Sequence, residues 1–290
     1  MKEKAFNFLI NPNVSRITLS LSRKKAFKNI FTPITVKDNS GKGLVTVSFD
    51  IDYEKDVLAI PKVLELLEKH KIKASFACVG IWAKRYPEIH RDISNERHEI
   101  TNHSFSHPDN IELNLDRFAK LSKTKRMQEI VEGNNALEDV LGKKIIGFRT
   151  PHFGNQHVFD VYNTLMQIGY KFSSSVLTTN NYGLCNIWLE KESNIIEIPV
   201  STIPFKPWAS FDSWNYFNKR KPLMEKGRNM VEDFAFIIQE AIKNKSYANF
   251  YFDPADFSVR NEYLHICKIL NKSEQILIQT YEEICSKLLS

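Results

Sequence analysis

The sequence predicts an α/β fold built on a parallel sheet, because β-branched and aromatic runs alternate with amphipathic stretches along most of its 290 residues. The polar residues suited to chemistry lie directly after predicted strands. The composition, 42% hydrophobic and 26% charged, is ordinary for a globular chain long enough to bury a full core. Strand ends gather at one mouth in parallel sheets and barrels, so residues distant in sequence can share one site.

Strands and helices are expected in alternation along the main body of the chain. The expected strands are residues 44–49, 74–79, 98–101, 145–148, 170–176, 195–200, 247–252 and 275–279. Four helices are expected at residues 57–70, 156–168, 228–243 and 261–270, the first of them capped by Asp56. A further helix ends near residue 96, another runs from 114 or 116 to 141, and a last one starts at 281. Gly142 is expected to cap the C-terminus of the long helix that ends at residue 141. Residues 177–194 and 204–225 are expected to be irregular.

Residues 1–43 are interpreted as a basic appendage to a barrel formed by residues 44–290. This segment carries nine Lys or Arg residues against Glu3 and Asp38, and the rest of the chain is close to neutral. A near-neutral body predicts no nucleic-acid partner. The basic segment is either a solvated surface element or a contact for an anionic membrane surface or a phosphorylated substrate.

The location predicted from the sequence is cytoplasmic, at most peripheral to a membrane. The only apolar run near the N-terminus, residues 6–10, is shorter than the hydrophobic part of a secretion signal, and no stretch reaches the length of a membrane span. The four cysteines form no CxxC pair, which argues against a zinc ribbon and favours a reducing compartment.

Two aspartates one residue apart, Asp50 and Asp52, end the first predicted strand. In an extended chain their side chains point to the same side. Two carboxylates this close are costly unless a cation lies between them or one is protonated. A metal on one and a proton-accepting role for the other would resolve that cost. The alternative interpretation is that both only cap the next helix.

Two histidines four residues apart, His103 and His107, follow the third predicted strand. Both rings can reach one ion at this spacing, and with one carboxylate they complete the three protein ligands of a catalytic zinc site. Ser104 or Ser106 could orient a ring by accepting its second N–H. The alternative is a pair of surface histidines before Pro108.

Arg149 follows the fourth predicted strand. A guanidinium beside Asp50 would keep that carboxylate ionised and fix its direction, and the alternative is a structural salt bridge. Pro151 and Gly154 are expected to make the next turn rigid and close. The backbone N–H of Phe153 is then a candidate donor to a developing oxyanion.

Three short motifs occur in the order that one enzyme family uses. They are Ser-Phe-Asp-Ile-Asp at 48–52, His-Ser-Phe-Ser-His at 103–107 and Arg-Thr-Pro-His-Phe-Gly at 149–154. Together they resemble the polysaccharide deacetylase family with the NodB homology domain, also called carbohydrate esterase family 4. Because one residue separates the two aspartates, the first motif resembles that of a family branch with Asp-x-Asp at this place. The resemblance covers about residues 44–280.

The resemblance implies a distorted (β/α)7 barrel and gives each site residue a role. Asp50 would be the general base, and Arg149 would position it. Asp52, His103 and His107 would hold a divalent metal, with zinc as the expected ion.

One residue departs from the family pattern. The family ends a late strand with a histidine that acts as general acid, whereas this chain has Asp253 there. A carboxylic acid can donate a proton in that role only if burial or a nearby anion raises its pKa. His152 is a conceivable substitute donor.

The function predicted is metal-dependent hydrolysis of an N-acyl group, with N-acetyl on an amino sugar as the expected case. The expected substrate is a cytoplasmic glycan precursor or a lipid-linked saccharide. Trp208, Trp214 and Tyr216 would form a sugar-stacking wall, or else pack an irregular loop onto the barrel. Two alternatives stay open: a cyclic imide or ureide hydrolase of the same fold, and a catalytically impaired member that binds glycans.

Overall fold

A computed structural model of the protein describes residues 31–34, 36, 40–153, 156–178, 180–217 and 229–289. Its strands are β1 Phe31–Ile34, β2 Gly43–Ile51, β3 Ser75–Cys78, β4 Glu99–Asn102, β5 Gly147–Phe148, β6 Phe172–Ser173, β7 Ile187–Glu190, β8 Ile196–Glu197, β9 Thr202–Ile203, β10 Lys206–Ser210, β11 Tyr247–Phe252 and β12 Ile276–Ile278.

The helices lie between these strands. They are α1 Glu54–His70, α2 Gly80–Arg85, α3 Pro87–Asn95, α4 Lys123–Leu141, α5 Asp160–Gln167, α6 Ser213–Phe217, α7 Met230–Asn244, α8 Pro254–Phe257, α9 Asn261–Lys272 and α10 Tyr281–Leu289, with a 3-10 turn at Phe118–Lys120. In the described ranges, no helix has both the length and the apolar character needed to cross a bilayer.

The main sheet confirms the α/β prediction. Its strands follow the order β1-β7-β8-β6-β5-β4-β3-β2-β11, and every neighbouring pair from β8 to β11 is parallel. The sheet curls until the chain just after β8 reaches β11, where the Ser201 amide donates to the Asn249 carbonyl at 2.8 Å. The result is a distorted barrel whose path from β8 to β11 has seven parallel strands among the described residues, with β12 paired parallel to β2 off that path. The carboxyl ends of the seven share one mouth.

The core follows from the burial of these strands. All nine residues of β2 are buried, as expected for a central parallel strand covered on both faces. The helix α1 buries Val57, Ile60 and Val63 at helical spacing against this sheet. Stacked phenylalanine rings fill the space between them, with Phe49 and Phe76 at 4.9 Å between centroids.

Two segments predicted to lie outside the sheet contribute strands to it. The strand β7 falls within residues 177–194 and pairs antiparallel with β8. The strand β1 falls within the segment interpreted as an appendage and pairs antiparallel with β7. The sheet therefore extends into residues 31–34, while residues 1–30 lie outside the described part of the chain.

The segment 204–225, expected to be irregular, contains regular structure in its described part. The strand β10 pairs antiparallel with β9, and α6 follows. Residues 218–228 are not among those described.

The long helix before β5 starts later than the sequence suggested. It begins at Lys123, where the Ser122 hydroxyl caps it by accepting from the Lys125 amide, rather than at 114 or 116. The side chains of Asn110 and Asn114 instead support turns in the preceding loop. Residues 103–122 are thereby left to cover the carboxyl end of β4. The Gly142 cap is confirmed, with a left-handed φ of 64°.

Candidate active site

Four polar side chains meet where neighbouring parallel strands end. Asp50 is the penultimate residue of β2, and Asp52 lies one residue beyond that strand. His103 directly follows β4, and Arg149 directly follows β5. Because β2, β3, β4 and β5 are consecutive in the sheet, their carboxyl ends bring these groups together.

Asp52, His103 and His107 form a compact cluster. The Asp52 Oδ1 atom is 3.3 Å from His103 Nε2 and 3.2 Å from His107 Nε2. One ligand atom from each residue lies within 4.8 Å of the other two. Two imidazole nitrogens and one carboxylate oxygen are a donor set typical of zinc and similar divalent metals.

The hydrogen bonds around His103 test whether this cluster fits a cation. The Nδ1 atom donates to the Arg149 carbonyl at 2.8 Å, which leaves Nε2 with a lone pair. That lone pair faces Asp52 Oδ1, itself only an acceptor. Among the described residues, these two atoms and His107 Nε2 are buried without a hydrogen-bond partner. Two acceptors and a second imidazole nitrogen aimed at one point fit a bound cation.

The charges within the cluster support the same interpretation. Burial raises the pKa of Asp52, but His107 and His103 together, through charge and hydrogen bonding, outweigh burial and hold that pKa well below its usual value. Burial lowers the pKa of His103, but Asp50 and Asp52 outweigh it and raise the value. The pocket thus favours positive charge beside ionised Asp52, whether a proton or a metal supplies it.

The serines beside the histidines hold the loop rather than the rings. The Ser104 hydroxyl accepts from the His107 amide at 3.0 Å. The Ser106 hydroxyl and amide both donate to the Glu129 carboxylate of α4, at 2.6 and 2.8 Å. The suggestion that a serine orients an imidazole is therefore wrong for His103, because the Arg149 carbonyl already takes its second N–H.

Two residues missed by the sequence reasoning fix the direction of Asp52. Its backbone carbonyl accepts from the Trp82 indole at 2.9 Å and from the Asn110 side-chain amide at 2.7 Å. Trp82 comes from α2, and Asn110 comes from the loop after β4. These bonds hold the chain after β2 in place, so the Asp52 carboxylate reaches the histidines from a rigid turn.

Asp50 is buried and paired with Arg149. The Arg149 Nη1 atom donates to Asp50 Oδ1, which leaves Oδ2 facing the cluster at 3.8 Å from His103 Nε2. Burial opposes the charge on Arg149, but the Asp50 carboxylate outweighs it and raises the guanidinium pKa above its usual value. Asp50 therefore keeps one oxygen fixed by a cation and one directed at the site.

The rest of the Arg149 guanidinium is held by groups that no sequence motif connects to it. Its Nε donates to the Ser174 carbonyl at 3.1 Å, and Nη2 donates to the hydroxyls of Ser48 and Ser174, each at 3.1 Å. The Tyr281 hydroxyl, from the first residue of α10, also contacts Nη2 and donates to Asn249 Oδ1 at 2.8 Å. Tyr281 thus links the last helix to the candidate base through Arg149.

The Phe153 amide is not available to an oxyanion. It donates to the Thr150 carbonyl at 3.1 Å within the turn after β5. The Phe153 ring is buried and packs on the Tyr251 ring at 4.6 Å between centroids. The expected oxyanion contact is therefore wrong for this amide, because a tight turn with Phe153 at φ 47° uses it internally. Gly154, predicted to shape the turn, lies outside the described residues.

Left-handed backbone is concentrated in the loops that carry the site. Ser104, His107 and Asp109 after β4, and His152 and Phe153 after β5, all have φ between 47° and 76°. Such conformations are uncommon for residues other than glycine and cluster where a binding site fixes the backbone.

Asp253 begins the helix α8 at the end of β11, beside the same mouth. Its amide donates to the Ser213 hydroxyl at 3.2 Å. Burial raises the pKa of Asp253 well above its usual value, and Asp56, Asp52, Asp212 and Asp50 raise it further. A carboxyl pKa raised in this way is what an acidic role at Asp253 would require.

Asp56 belongs to the same group of carboxyls. Burial and then Asp52 raise its pKa to about 7. Its two oxygens accept from the Tyr53 amide at 3.1 Å and the Ala255 amide at 3.2 Å, so it ties α1 to the turn carrying Asp253. Asp56 caps α1 from inside the first turn, because the helix begins at Glu54.

His152 lies next to the cluster. Its ring is exposed and stands 4.8 Å from the ring of His107, and its Nε2 atom is 3.3 Å from the Asp109 carbonyl. His152 therefore lies beside His107, at the part of the mouth where the Asp-His-His cluster is.

The predicted aromatic wall divides into different environments. Tyr216 is buried and its hydroxyl donates to Asp233 at 2.8 Å, so it is a packing residue and not part of a wall. Trp214 is 59% exposed on α6, next to the Ser213 that binds the Asp253 amide. The side chain of Trp208 is not among those described.

The fold and the site together indicate a class of protein: a parallel α/β barrel with a candidate metal centre at its mouth. The centre is the Asp-His-His cluster, and the carboxylate paired with Arg149 lies beside it. Residues 37–172 match the family model described as polysaccharide deacetylase. The family resemblance carried by the motifs is therefore confirmed over residues 37–172, just under half of the chain, which match the polysaccharide deacetylase family.

Individual relatives agree with this assignment. A peptidoglycan-N-acetylglucosamine deacetylase from Bacillus cereus is 34% identical over 88 residues, covering 30% of this chain and 32% of that protein. Matches of this kind span about a third of the curated relatives.

Solved structures confirm the fold over most of the chain. A candidate polysaccharide deacetylase from Mycobacterium smegmatis aligns with TM-score 0.72 at 18% identity, covering 89% of this chain and 95% of that one. The Puue allantoinase aligns with TM-score 0.67 at 11% identity, covering 88% and 93%. The predicted distorted (β/α)7 barrel of the NodB type is thus confirmed.

Proposed function

We propose that this protein is a hydrolase that removes an N-acetyl group from an amino sugar, with a divalent metal held by Asp52, His103 and His107. The observation that carries the proposal is the contrast between neighbouring carboxyls: Asp50 is paired with Arg149 beside the cluster, whereas Asp253 has no ion pair among the described residues and its pKa is raised by burial and nearby carboxyls. Family relatives that act on N-acetylglucosamine support the substrate class.

The chain's residues divide the work of hydrolysis between them. A bound divalent metal would polarise the acyl oxygen and acidify a water molecule. Asp50 Oδ2 would accept the proton of the attacking water, while Arg149 holds the other carboxylate oxygen in place. Zinc is the proposed ion, since two imidazoles and one carboxylate leave an open position for water.

Departure of the amine requires a proton donor on the other side of the mouth. Asp253 would donate this proton, because burial and the neighbouring carboxyls keep its pKa high. Trp214 would contact a sugar ring, and its 59% exposure beside Ser213 supports that role. Phe153 would contribute through its ring, packed on Tyr251, rather than through its amide.

The proposed substrate is a saccharide precursor in the cytoplasm, linked to a nucleotide or a lipid. The four cysteines support a reducing compartment, since all are buried free thiols. Peripheral contact of the basic N-terminal segment with a membrane belongs to the same proposal. Fractionation of cells, with detection in the soluble, membrane and exported fractions, tests the location.

Acetate release tests the activity. Purified protein loaded with zinc is assayed on N-acetylglucosamine oligomers, peptidoglycan fragments, nucleotide-linked and lipid-linked amino sugars, and cyclic imides. The Asp50→Asn variant should lose about 10³-fold in kcat/KM, within the range for a general base. The matched control is Asp92→Asn, an exposed carboxylate on α3, which should keep full activity.

The outcomes separate the candidate functions. Acetate release from amino sugars that survives Asp50→Asn would contradict the proposed mechanism, and turnover of cyclic imides alone would replace the proposed substrate class. The aspartate at position 253 favours one second candidate, a binding protein with impaired catalysis. Tight binding of metal and of chitooligosaccharides without acetate release would establish that candidate.

A further inference from the structure

A second concave site lies at the opposite end of the barrel. It is a cavity of about 280 Å³, lined largely by residues at or before the amino ends of strands. Lys73 precedes β3, Arg97 and His98 precede β4, and Lys143 and Lys144 precede β5. Amino ends of parallel strands lie away from the mouth that holds Asp52, so this cavity is separate from the candidate active site.

The cavity is rich in cations that lack partners. Arg97, Lys143 and Lys144 are exposed, and none of them forms an ion pair with a carboxylate in the part of the chain that the structure describes. Lys73 pairs with Glu283 at 2.7 Å. Three unpaired cations around one concavity produce a positive potential that attracts anions.

A buried histidine adds a directed donor to this wall. His98 is 7% exposed, and the Ala74 amide donates to its Nδ1 at 3.2 Å. Nδ1 is therefore the acceptor of the ring, which places the proton on Nε2. Burial lowers the pKa of His98 to about 4, so the ring is neutral at physiological pH. It offers a fixed N–H donor that finds no acceptor among the described residues.

The two acidic residues of the lining do not cancel this charge. The Glu99 carboxylate accepts from the amides of Tyr281 and Glu282, at 2.9 and 2.8 Å, and from the Ser75 hydroxyl. Burial raises its pKa to about 7, which lowers its average charge at neutral pH. Glu282 is exposed at the start of α10. The three unpaired cations thus face one exposed carboxylate, Glu282, and one that is already bound within the wall, Glu99.

We propose that this cavity binds the phosphate group of a soluble phosphorylated ligand. A volume of about 280 Å³ equals roughly nine waters at about 30 Å³ each, which is room for a phosphate and part of its attached group. Lys143 and Lys144 supply flexible charge, and Arg97 supplies a planar fork of donors suited to phosphate oxygens. His98 supplies a neutral donor from the wall.

Calorimetric titration with inorganic phosphate tests the proposal on the metal-loaded full chain. We expect binding that weakens as ionic strength rises, together with an increase in melting temperature as phosphate is added. The variant with Lys143→Ala and Lys144→Ala should bind about tenfold more weakly or worse. Its fold should be intact because both side chains are exposed, and its acetate-release activity should be unchanged.

The control changes the same number of lysines elsewhere. Lys268→Ala with Lys272→Ala removes two exposed charges from α9, outside the cavity lining, and should bind phosphate like the unaltered protein. Equal phosphate affinity in the Lys143/Lys144 variant would overturn the proposal, because it would place the phosphate elsewhere, including at the metal. Equal weakening by both lysine pairs would also overturn it, by showing a general charge effect.

Discussion

The carboxyl groups of Asp50 and Asp253 lie at one mouth in opposite electrostatic surroundings. Asp50 is paired with a buried guanidinium that Ser48, Ser174 and Tyr281 also contact. Among the described residues, Asp253 has no cation in an ion pair, and burial and nearby carboxyls raise its pKa. Two carboxyls in such different surroundings suit the two halves of an acid and base pair. In the proposed function, the base lies on the Arg149 side and the acid on the Asp253 side.

Removing the Asp52 carboxylate should have the largest effect on activity, because the proposed roles of Asp50 and Asp253 both depend on the metal that Asp52 would hold. Asp52→Asn removes the charge that faces both histidines at 3.2 to 3.3 Å. Bound zinc should fall from about one per chain to a small fraction, and acetate release should fall to background. Metal analysis after dialysis checks this, with Asp92→Asn as the matched control. Full zinc content in Asp52→Asn would show that the metal, if any, is held elsewhere.

The next largest effect should separate the acid from the base. Asp253→Asn should lower kcat/KM for N-acetyl sugars by about 10²-fold, because the leaving amine then lacks its proton donor. An activated acetyl ester, whose leaving group needs no proton, should react with Asp253→Asn almost as fast as with the unaltered protein. Asp50→Asn should slow both substrates. Parallel rates on the amide and the ester check this, and an equal loss on both in Asp253→Asn would deny it a donor role.

The smallest effect concerns the tyrosine that supports the base side. Tyr281→Phe removes one hydrogen bond to Arg149 and one to Asn249, which should lower kcat a few-fold with KM little changed and cost about 1 kcal/mol of stability. Tyr162→Phe is the matched control, since its buried hydroxyl donates to Glu197 at 2.9 Å and does not contact Arg149. Steady-state kinetics and denaturant unfolding measure both. A lower kcat in Tyr162→Phe as well would mean that Tyr281 acts only through general stability.

The sequence was sufficient for the parts of the site that depend on spacing and strand order. Asp50, Asp52, His103 and Arg149 follow strands that are neighbours in the sheet, so strand assignment alone predicted that they would meet. The Asp-His-His cluster needed only the four-residue spacing of the histidines as a further signal.

Other features depend on contacts that leave no pattern in the sequence. The ring of His103 is oriented by the Arg149 carbonyl, a backbone group that every residue type has. Tyr281 reaches Arg149 from the last helix, and no local motif connects the two. The Phe153 amide was misjudged because a motif gives residue order but not the turn that uses the amide internally. The strand β7 was missed because its antiparallel pairing depends on β1 and β8.

The pH dependence of kcat/KM for an N-acetylated sugar tests the assignment of acid and base most directly. Asp253 acts as a donor only while protonated, and burial with the nearby carboxyls raises its pKa and so extends the pH range in which it is protonated. Activity should therefore fall as pH rises through the raised pKa of Asp253. Asp253→Asn should lose that alkaline limb, leaving a lower rate that no longer falls at this pH. An alkaline limb that persists unchanged in Asp253→Asn would contradict the assignment.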